Sequence, residues 1–517
     1  MNDKRFIKGA TLLIAFSLIS KCLGAVYRIP LTKIIGGVGM GKYQLIFPIY
    51  TFILTLASSG ITVAISKFVA EFNGTKQFDK AHGILKISVF LLAVISAFCV
   101  ALVVFSAKII AGLQQNADIF ICYYAIAPAI LFASVMSAFR GYFQGTLSMF
   151  PTAFSTFLEQ ILKMIFGLLF AASLFKFGVL YAVFGAVFGL TLSELCACIY
   201  IVIHYLASKN IVDKKSEDSM ALAKSLINFS LPLTFGKIIT PITSIVDSIL
   251  IVNLLIFSGF ESKIATSMLG LQAGVVEPLI NIPAIIAISI STVLLPSISE
   301  LVARKEMKQA KELVVKSFQI TFSISVACGI CFIIFGEQII KLFYGETLSN
   351  FEFVTAIKLL YFGAVNVIFV SLVQISAVIL QGIGRQKLVV KSLVLGSALK
   401  LVLDCLLIVI KPLNILGASI ACAFGFALVA SLNFRQIKLH MGVKFERVCF
   451  YVSIQACFVC LFAYFAKRLV GLYFGDMIAF FAGGTFAVII FMVTYYVFFM
   501  GEYRNKIYTY DKIAWRF

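Results

Sequence analysis

Fourteen long apolar runs constrain the fold of this chain more strongly than any other feature of its sequence. A helix needs about 20 predominantly apolar residues to cross the hydrocarbon core of a bilayer. Because lipid offers the backbone no hydrogen-bond partners, runs of this length must satisfy their own polar groups as helices. The sequence therefore predicts an all-α integral membrane protein with fourteen transmembrane helices. The predicted spans are 7–35, 43–66, 84–107, 119–139, 152–175, 178–206, 225–257, 265–298, 317–343, 353–381, 388–410, 415–434, 448–466 and 477–500.

The distribution of charge predicts the orientation of these spans. Only 13% of the residues are charged, whereas soluble domains carry about 25%. Lysine and arginine are concentrated near both ends of the chain and in the even-numbered connections, for example at Lys76, Lys214 and Arg304. Because basic residues mark the cytoplasmic side, we expect both termini in the cytoplasm. The net charge of +20 then reflects topology, and we expect a lipid bilayer and no nucleic acid as partner.

The chain also contains an internal repeat. The segment QGTLSMFPTAFSTFLEQILK (144–163) shares its QG pair, a serine and a final Leu-Lys with QGIGRQKLVVKSLVLGSALK (381–400). A second match joins AISKFVAEFNGTKQFDKA (64–81) to LLPSISELVARKEMKQAKEL (294–313). Each repeat holds six spans, and six is even, so both copies keep the same orientation in the membrane. The sequence predicts two parallel six-helix repeats in a two-lobed bundle, followed by two further helices.

The repeat divides the chain into four predicted regions. The polar stretch between the sixth and seventh spans is expected to be a cytoplasmic linker between the lobes. The regions are an N-lobe at 1–206, the linker at 207–224, a C-lobe at 225–440, and the last two helices with a cytoplasmic tail at 441–517.

Other patterns give no sign of metal or cofactor chemistry. All twelve cysteines fall inside apolar runs, and the three histidines lie far apart in the sequence, so they have none of the usual zinc or disulfide spacings outside a span. No nucleotide-binding P-loop motif is present. We expect no metal and no cofactor, although Na⁺ or H⁺ remains a candidate coupling ion.

Charged side chains inside the spans are the candidate functional residues, because a charge at the bilayer centre costs about 2.5–3.5 kcal/mol on insertion scales. In the first span, SKCLGAVYRIPLTKI (20–34) places Lys21, Gly24 and Arg28 on one helical face. The candidate substrate-binding cations are Lys21, Arg28, Lys163, Lys237 and Lys400, and the candidate ion-coupling acids are Glu159, Asp247, Glu277 and Asp404. Span 6 adds Glu194.

Two of these acids have a lysine four residues away on the same helix, Glu159 with Lys163 and Asp404 with Lys400. Such pairs can neutralise each other as internal salt bridges. Lys21, Arg28 and Lys237 have no acid so placed, and the alternatives for them are snorkelling to the membrane surface or pairing with another helix. We predict that Lys21 and Arg28 line a polar cavity between the lobes and bind an anionic head group.

Three segments are characteristic enough to compare with known families: SKCLGAVYRIPLTKIIGGVGMGKYQLIFPIY, SSGITVAISKFVAE and AFRGYFQGTLSMFPTAFSTFLEQILK. They resemble the stage V sporulation protein B-like branch of the multidrug/oligosaccharidyl-lipid/polysaccharide flippase superfamily, which includes lipid II flippases. The resemblance implies a MATE-like bundle with alternating access, working on an undecaprenyl-pyrophosphate-linked saccharide in peptidoglycan or polysaccharide biosynthesis. It also implies basic cavity residues on the first helix, where this chain has Lys21 and Arg28. Lipid II flippases usually carry an arginine before a proline early in the eighth helix, and this chain has Glu277 there, in GVVEPL.

The resulting hypothesis is a flippase of the bacterial plasma membrane, expected to act as a monomer, with a lipid-linked saccharide as substrate and the cell-wall synthesis machinery as a candidate partner. A cation-coupled multidrug exporter of the same superfamily is the main alternative. A membrane saccharide polymerase or acyltransferase is less favoured, because the longest loop lacks histidine. A purely structural partner of division or sporulation proteins would not need charges inside its spans.

Overall fold

The computed structural model describes residues 2–208, 219–473 and 475–500, so most of the predicted linker and the C-terminal tail lie outside the described residues. Within these ranges the chain forms helices and turns, with no β-strand. The helices are α1 (Asn2–Gly74), α2 (Phe78–Leu113), α3 (Phe120–Gly145), α4 (Met149–Leu174), α5 (Val179–Ala207), α6 (Ser219–Phe257), α7 (Ser262–Gly270), α8 (Glu277–Ala303), α9 (Met307–Tyr344), α10 (Asn350–Gly382), α11 (Gln386–Leu407), α12 (Ile415–Met441), α13 (Glu446–Tyr473) and α14 (Asp476–Tyr495). A π-helical turn, Leu271–Val276, joins α7 to α8.

The predicted spans coincide with these helices. Twelve helical stretches of the described chain are long and apolar enough to cross a membrane. One of them, Leu18–Gly74, covers residues 18–35 of the first predicted span and all of the second. The remaining predicted span, 388–410, corresponds to α11, which has Lys400 and Asp404 among its residues. The prediction of an all-α, multi-pass membrane protein is therefore confirmed.

Gly36 separates the first two predicted spans within α1. Its backbone has φ 68° and ψ −176°, which interrupts the helix, and glycine adopts positive φ at little steric cost. Pro30 and Pro48 lie on either side of this interruption, inside the helix. The interruption thus falls between the predicted spans 7–35 and 43–66.

The internal repeat reappears in the local backbone. After α3 ends at Gly145, Leu147 has φ 58° and α4 begins at Met149; after α10 ends at Gly382, Gly384 has φ 76° and α11 begins at Gln386. Consequently Lys163 and Lys400 occupy the same position along their helices, fourteen residues after the first one.

The second sequence match behaves in the same way. The α1–α2 turn has Lys76 at φ 59°, two residues after α1 ends, and the α8–α9 turn has Lys305 at φ 62°, two residues after α8 ends. Both matched segments therefore form the same helix–turn–helix unit.

The chain separates into two compact units, one of residues 1–278 and 404–415 and the other of 279–403 and 416–517. The first has a core between α1, α2, α3 and α5 that includes Ile65, Leu92 and Ile201. The second has cores around Ile298, Ile379 and Ile437 and around Phe318. The predicted lobe boundaries and the predicted cavity between the lobes stay predictions.

Within the first unit, α1 and α7 approach so closely that side chains are excluded. A Cβ added to Gly41 would lie 1.9 Å from the backbone oxygen of Thr266, and one added to Gly270 would lie 2.4 Å from the backbone nitrogen of Gly41. Real Cβ contacts do not reach such distances, so both positions require glycine here. This contact places the π-helical turn directly beside α1.

The connection between α2 and α3 reinforces this packing through its amide side chains. Gln114 Nε2 donates to the backbone oxygen of Leu45 on α1 at 2.9 Å, and Asn116 Nδ2 donates to Thr266 Oγ1 on α7, also at 2.9 Å. Lys42 of α1 forms an ion pair with Asp118 of the same connection. A polar connection thus ties α1 to α7, which positions the residues described below.

Candidate functional site

Arg28 is anchored on the π-helical turn. Its Nη1 donates to the backbone oxygen of Ala273 at 2.9 Å, and Gln44 Nε2, also on α1, donates to the same oxygen at 2.9 Å. A π-helical turn shifts the regular i→i−4 bonding, which leaves a carbonyl open to side-chain donors. The guanidinium has five N–H donors, and this bond uses one of them.

The helical face that carries Arg28 packs against α4. A Cβ added to Gly24 would lie 3.3 Å from Gln160 Oε1, and one added to Gly167 would lie 2.4 Å from Tyr27 Oη. Small residues on both helices therefore bring α1 and α4 together. Lys21, one turn before Gly24, is exposed.

Lys163 lies on α4 beside this face. Its Nζ is 4.9 Å from the centre of the Phe47 ring and 5.8 Å from that of Tyr27. Aromatic faces attract ammonium groups, most strongly where water is excluded. Arg28 is one of the charged neighbours of Lys163. The structure thus brings two of the predicted cations, Arg28 and Lys163, into one cluster on α1 and α4.

Glu159 bonds to α3 rather than to the lysine on its own helix. Its Oε2 accepts from Arg140 Nη2 at 3.0 Å, with side-chain exposures of 15% for Glu159 and 19% for Arg140. Arg140 Nε also donates to Ser155 Oγ at 2.9 Å, and Gln160 Nε2 donates to Glu159 Oε1 at 2.9 Å. Because Arg140 takes the acid, the ammonium of Lys163 is held by aromatic rings.

The other predicted residues occupy separate places. Lys237 is exposed on α6, and its Nζ donates to the backbone oxygen of Ser59 at 3.2 Å. Asp247 and Glu277 are half-buried, on α6 and at the start of α8. On α11, Lys400 is half-buried in the second unit and Asp404 is fully buried. The predicted residues that the structure gathers are Arg28, Lys163, Glu159 and Glu194, since Lys163 has the other three as charged neighbours.

Sequence reasoning missed Arg140, Gln44 and Tyr50, whose hydroxyl donates to Glu194 Oε1 on α5 at 3.2 Å. Arg140 is the first residue after the predicted fourth span, 119–139, so the prediction placed it in the loop that follows and not among the charges inside spans. Glu159 could have indicated it, because an acid inside a membrane span usually pairs with a cation from another helix. Nothing in the sequence around Gln44 or Tyr50 distinguishes them from other polar and aromatic residues. Their hydrogen-bond partners depend on how α1 packs against the π-helical turn and against α5.

The fold and this site define an integral membrane transporter with a basic cluster among its spans. Residues 6–302 match the family model described as polysaccharide biosynthesis protein, and residues 248–406 match the MatE model. The chain belongs to the polysaccharide biosynthesis protein family. It is a member of the multidrug/oligosaccharidyl-lipid/polysaccharide flippase superfamily, as the resemblance of its segments predicted.

Individual relatives agree with this assignment. The chain is 25% identical over 470 residues to stage V sporulation protein B of Bacillus subtilis (strain 168), with 89% of each chain covered. It is 27% identical over 465 residues to the lipid II flippase MurJ of the same organism, covering 86% of this chain and 84% of MurJ. A solved structure of a lipid II flippase MurJ in an inward closed conformation matches with a TM-score of 0.73 at 14% identity, covering 96% of this chain and all (100%) of that one. The two MurJ proteins among these relatives are lipid II flippases.

Proposed function

We propose that this protein moves a saccharide linked to a polyprenyl pyrophosphate from the inner to the outer leaflet of the bacterial plasma membrane by alternating access. The observation that carries the proposal is the pair Arg28 and Lys163, two neighbouring cations at membrane depth that are held by a carbonyl and by aromatic rings. Neither of these contacts neutralises a positive charge. A diphosphate is a complementary ligand, because guanidinium and ammonium groups bind phosphate through charge-assisted hydrogen bonds.

The physics of the substrate favours this mode of transport. Moving a sugar head group through hydrocarbon would strip water from many polar groups without replacing their hydrogen bonds. A polar site can supply those bonds while the prenyl tail stays in lipid. Outward movement of an anion is also driven by an inside-negative membrane potential, by about 2.3 kcal/mol per charge per 100 mV.

The MatE match over residues 248–406 favours a second candidate, a cation-coupled multidrug exporter. A cationic drug would be repelled at this place by Arg28 and Lys163. The two candidates therefore differ in the sign of the charge that the site accepts.

The proposal is tested by depleting the protein in a host that depends on it and identifying which undecaprenyl-linked intermediate accumulates on the cytoplasmic leaflet. Re-expression of the wild type should clear the intermediate, and Lys163→Met should not, because the methionine retains the aromatic packing without the charge. Lys176→Met, at an exposed lysine just after α4, is the matched control and should clear it. Accumulation of no lipid-linked intermediate, together with increased sensitivity to cationic drugs, would favour the exporter.

The proposed direction of transport requires both termini in the cytoplasm. We expect a cysteine at position 216, in the linker, to be protected from a membrane-impermeant thiol reagent in intact cells, whereas Glu261→Cys, in the turn between α6 and α7, should be labelled. The background would lack the twelve native cysteines. External labelling at position 216 would reverse the assigned orientation.

A further inference from the structure

Gln160 on α4 has one end of its side-chain amide held by a neighbour and the other end free to accept a hydrogen bond. Its Nε2 donates to Glu159 Oε1 at 2.9 Å, and Glu159 Oε2 accepts from Arg140 on α3 at 3.0 Å. An ionised carboxylate only accepts hydrogen bonds, so it must face the nitrogen of the amide and not its oxygen. The ion pair therefore fixes the orientation of the Gln160 amide.

The carbonyl oxygen of this amide faces α1. A Cβ added to Gly24 would lie 3.3 Å from Gln160 Oε1, so the oxygen lies against the helical face that carries Gly24. Among the described residues, none donates a hydrogen bond to this oxygen, and it is not one of the buried atoms without a partner. The side chain of Gln160 is half-buried. Its oxygen is thus an accessible acceptor at membrane depth.

This acceptor lies about one helical turn from both of the cations proposed to hold the diphosphate. Gln160 and Lys163 are three residues apart on α4, and Gly24 and Arg28 are four residues apart on α1. These separations are about 4.5 Å and 6 Å along the helix axes, and residues so spaced share a helical face. A sugar attached to a diphosphate that binds Arg28 and Lys163 would therefore come next to Gln160 Oε1.

We infer that Gln160 is a specificity-determining residue, which accepts a hydrogen bond from the first sugar of the lipid-linked substrate, and that the Arg140–Glu159 pair positions it. This inference rests on the proposed function and names the chemistry of that sugar. The sugar must present a donor, which is a hydroxyl group or the N–H of an acylamino group. A site built to bond such a donor rejects analogues that lack it, because its own polar group is then left unpaired.

Binding of three synthetic lipids to the full-length protein in vesicles tests this inference. The probes are undecaprenyl pyrophosphate without sugar, and the same lipid carrying either glucose or N-acetylglucosamine, which differ in the group on one ring carbon. Gln160→Met keeps the length of the side chain but removes the acceptor. It should weaken binding of a glycosylated lipid about tenfold and leave binding of the sugar-free lipid unchanged. Gln77→Met, at an exposed position before α2 whose side chain caps no backbone group, is the matched control and should bind all three lipids like the wild type.

The two glycosylated probes identify the donor. A loss confined to the N-acetylglucosamine lipid would assign the acylamino N–H, and an equal loss for both would assign a hydroxyl group. Gly24→Ala places a methyl group against the carbonyl oxygen from the other helix, and alanine favours the helix. It should therefore weaken the same lipids as Gln160→Met without lowering the unfolding temperature.

The same measurements separate failure of this inference from failure of the proposed function. If the wild type bound all three lipids and Gln160→Met bound them equally well, or lost affinity for the sugar-free lipid to the same extent, Gln160 would not recognise the sugar and the inference would be overturned. If the wild type bound none of the three lipids, the proposed function itself would be wrong. Arg28→Ala should weaken all three alike, since it acts on the diphosphate that they share.

Discussion

Replacing Arg28 with alanine is expected to abolish transport while the protein remains in the membrane at its normal abundance. The loss of transport follows from removing one of the two neighbouring cations proposed to hold the diphosphate. The fold should survive because Gln44 also donates to the carbonyl of Ala273, so the substitution leaves no buried acceptor unpaired. Complementation of a strain that lacks the protein, measured alongside membrane abundance, checks both halves of this expectation.

Two further variants sharpen this experiment. Arg28→Lys should retain partial transport, since it keeps the charge but loses the fork of donors that binds phosphate in a bidentate manner. The double variant Arg28→Ala with Gln44→Leu leaves the carbonyl of Ala273 without either donor, which should cost about 1–3 kcal/mol of stability and lower abundance. Full complementation by Arg28→Ala would contradict the proposed site, and loss of the single variant from the membrane would assign Arg28 a structural role.

Arg140→Met is expected to have the opposite phenotype, a large loss of stability. Among the described residues, Arg140 is the only cation in contact with Glu159. The substitution would therefore leave the Glu159 carboxylate, whose side chain is 15% exposed, without a paired cation. Removing one partner of a buried ion pair typically costs roughly 3–5 kcal/mol. The unfolding temperature of the purified protein should fall sharply. A thiol-reactive fluorophore can follow unfolding, because Cys99, Cys122 and Cys198 are buried in the folded protein.

Neutralising the stranded acid should reverse most of this loss. In the double variant Arg140→Met with Glu159→Gln, no unpaired charge remains, so its stability should return toward that of the wild type. Arg304→Met is a matched control, because Arg304 forms an exposed ion pair with Glu300 and such pairs contribute about 0–1 kcal/mol. If Arg140→Met proved as stable as Arg304→Met, the Arg140–Glu159 pair would not support the packing of α3 against α4.

The spans and the repeat could be predicted from the sequence because both depend on local properties. Apolar runs must form helices in lipid wherever they occur, and the matched QG segments encode the same turn, which places Lys163 and Lys400 at the same position along α4 and α11. The charged face of the first span could be predicted for the same reason, since Lys21, Gly24 and Arg28 are related by helical periodicity alone.

The partners of those charges could not be predicted, because they are set by distant helices. The four-residue spacing of Glu159 and Lys163 suggested an ion pair, but Arg140 reaches Glu159 from α3, and Lys163 lies over Phe47 instead. The π-helical turn that exposes the carbonyl of Ala273 depends on how α7 packs against α1. Periodicity alone gives no indication that a regular helix will be interrupted there.

The contact between Gly41 on α1 and Thr266 and Gly270 on α7 has a consequence for how the family can vary. A larger residue at Gly41 cannot be compensated by a smaller one at Gly270, because glycine has no side chain to lose. Compensating substitutions at the two positions are therefore not possible. In an alignment of relatives, we expect no covariation between position 41 and position 270. Contact maps derived from covariation would therefore miss this contact. We expect it to show instead as two glycines that are the same in every relative.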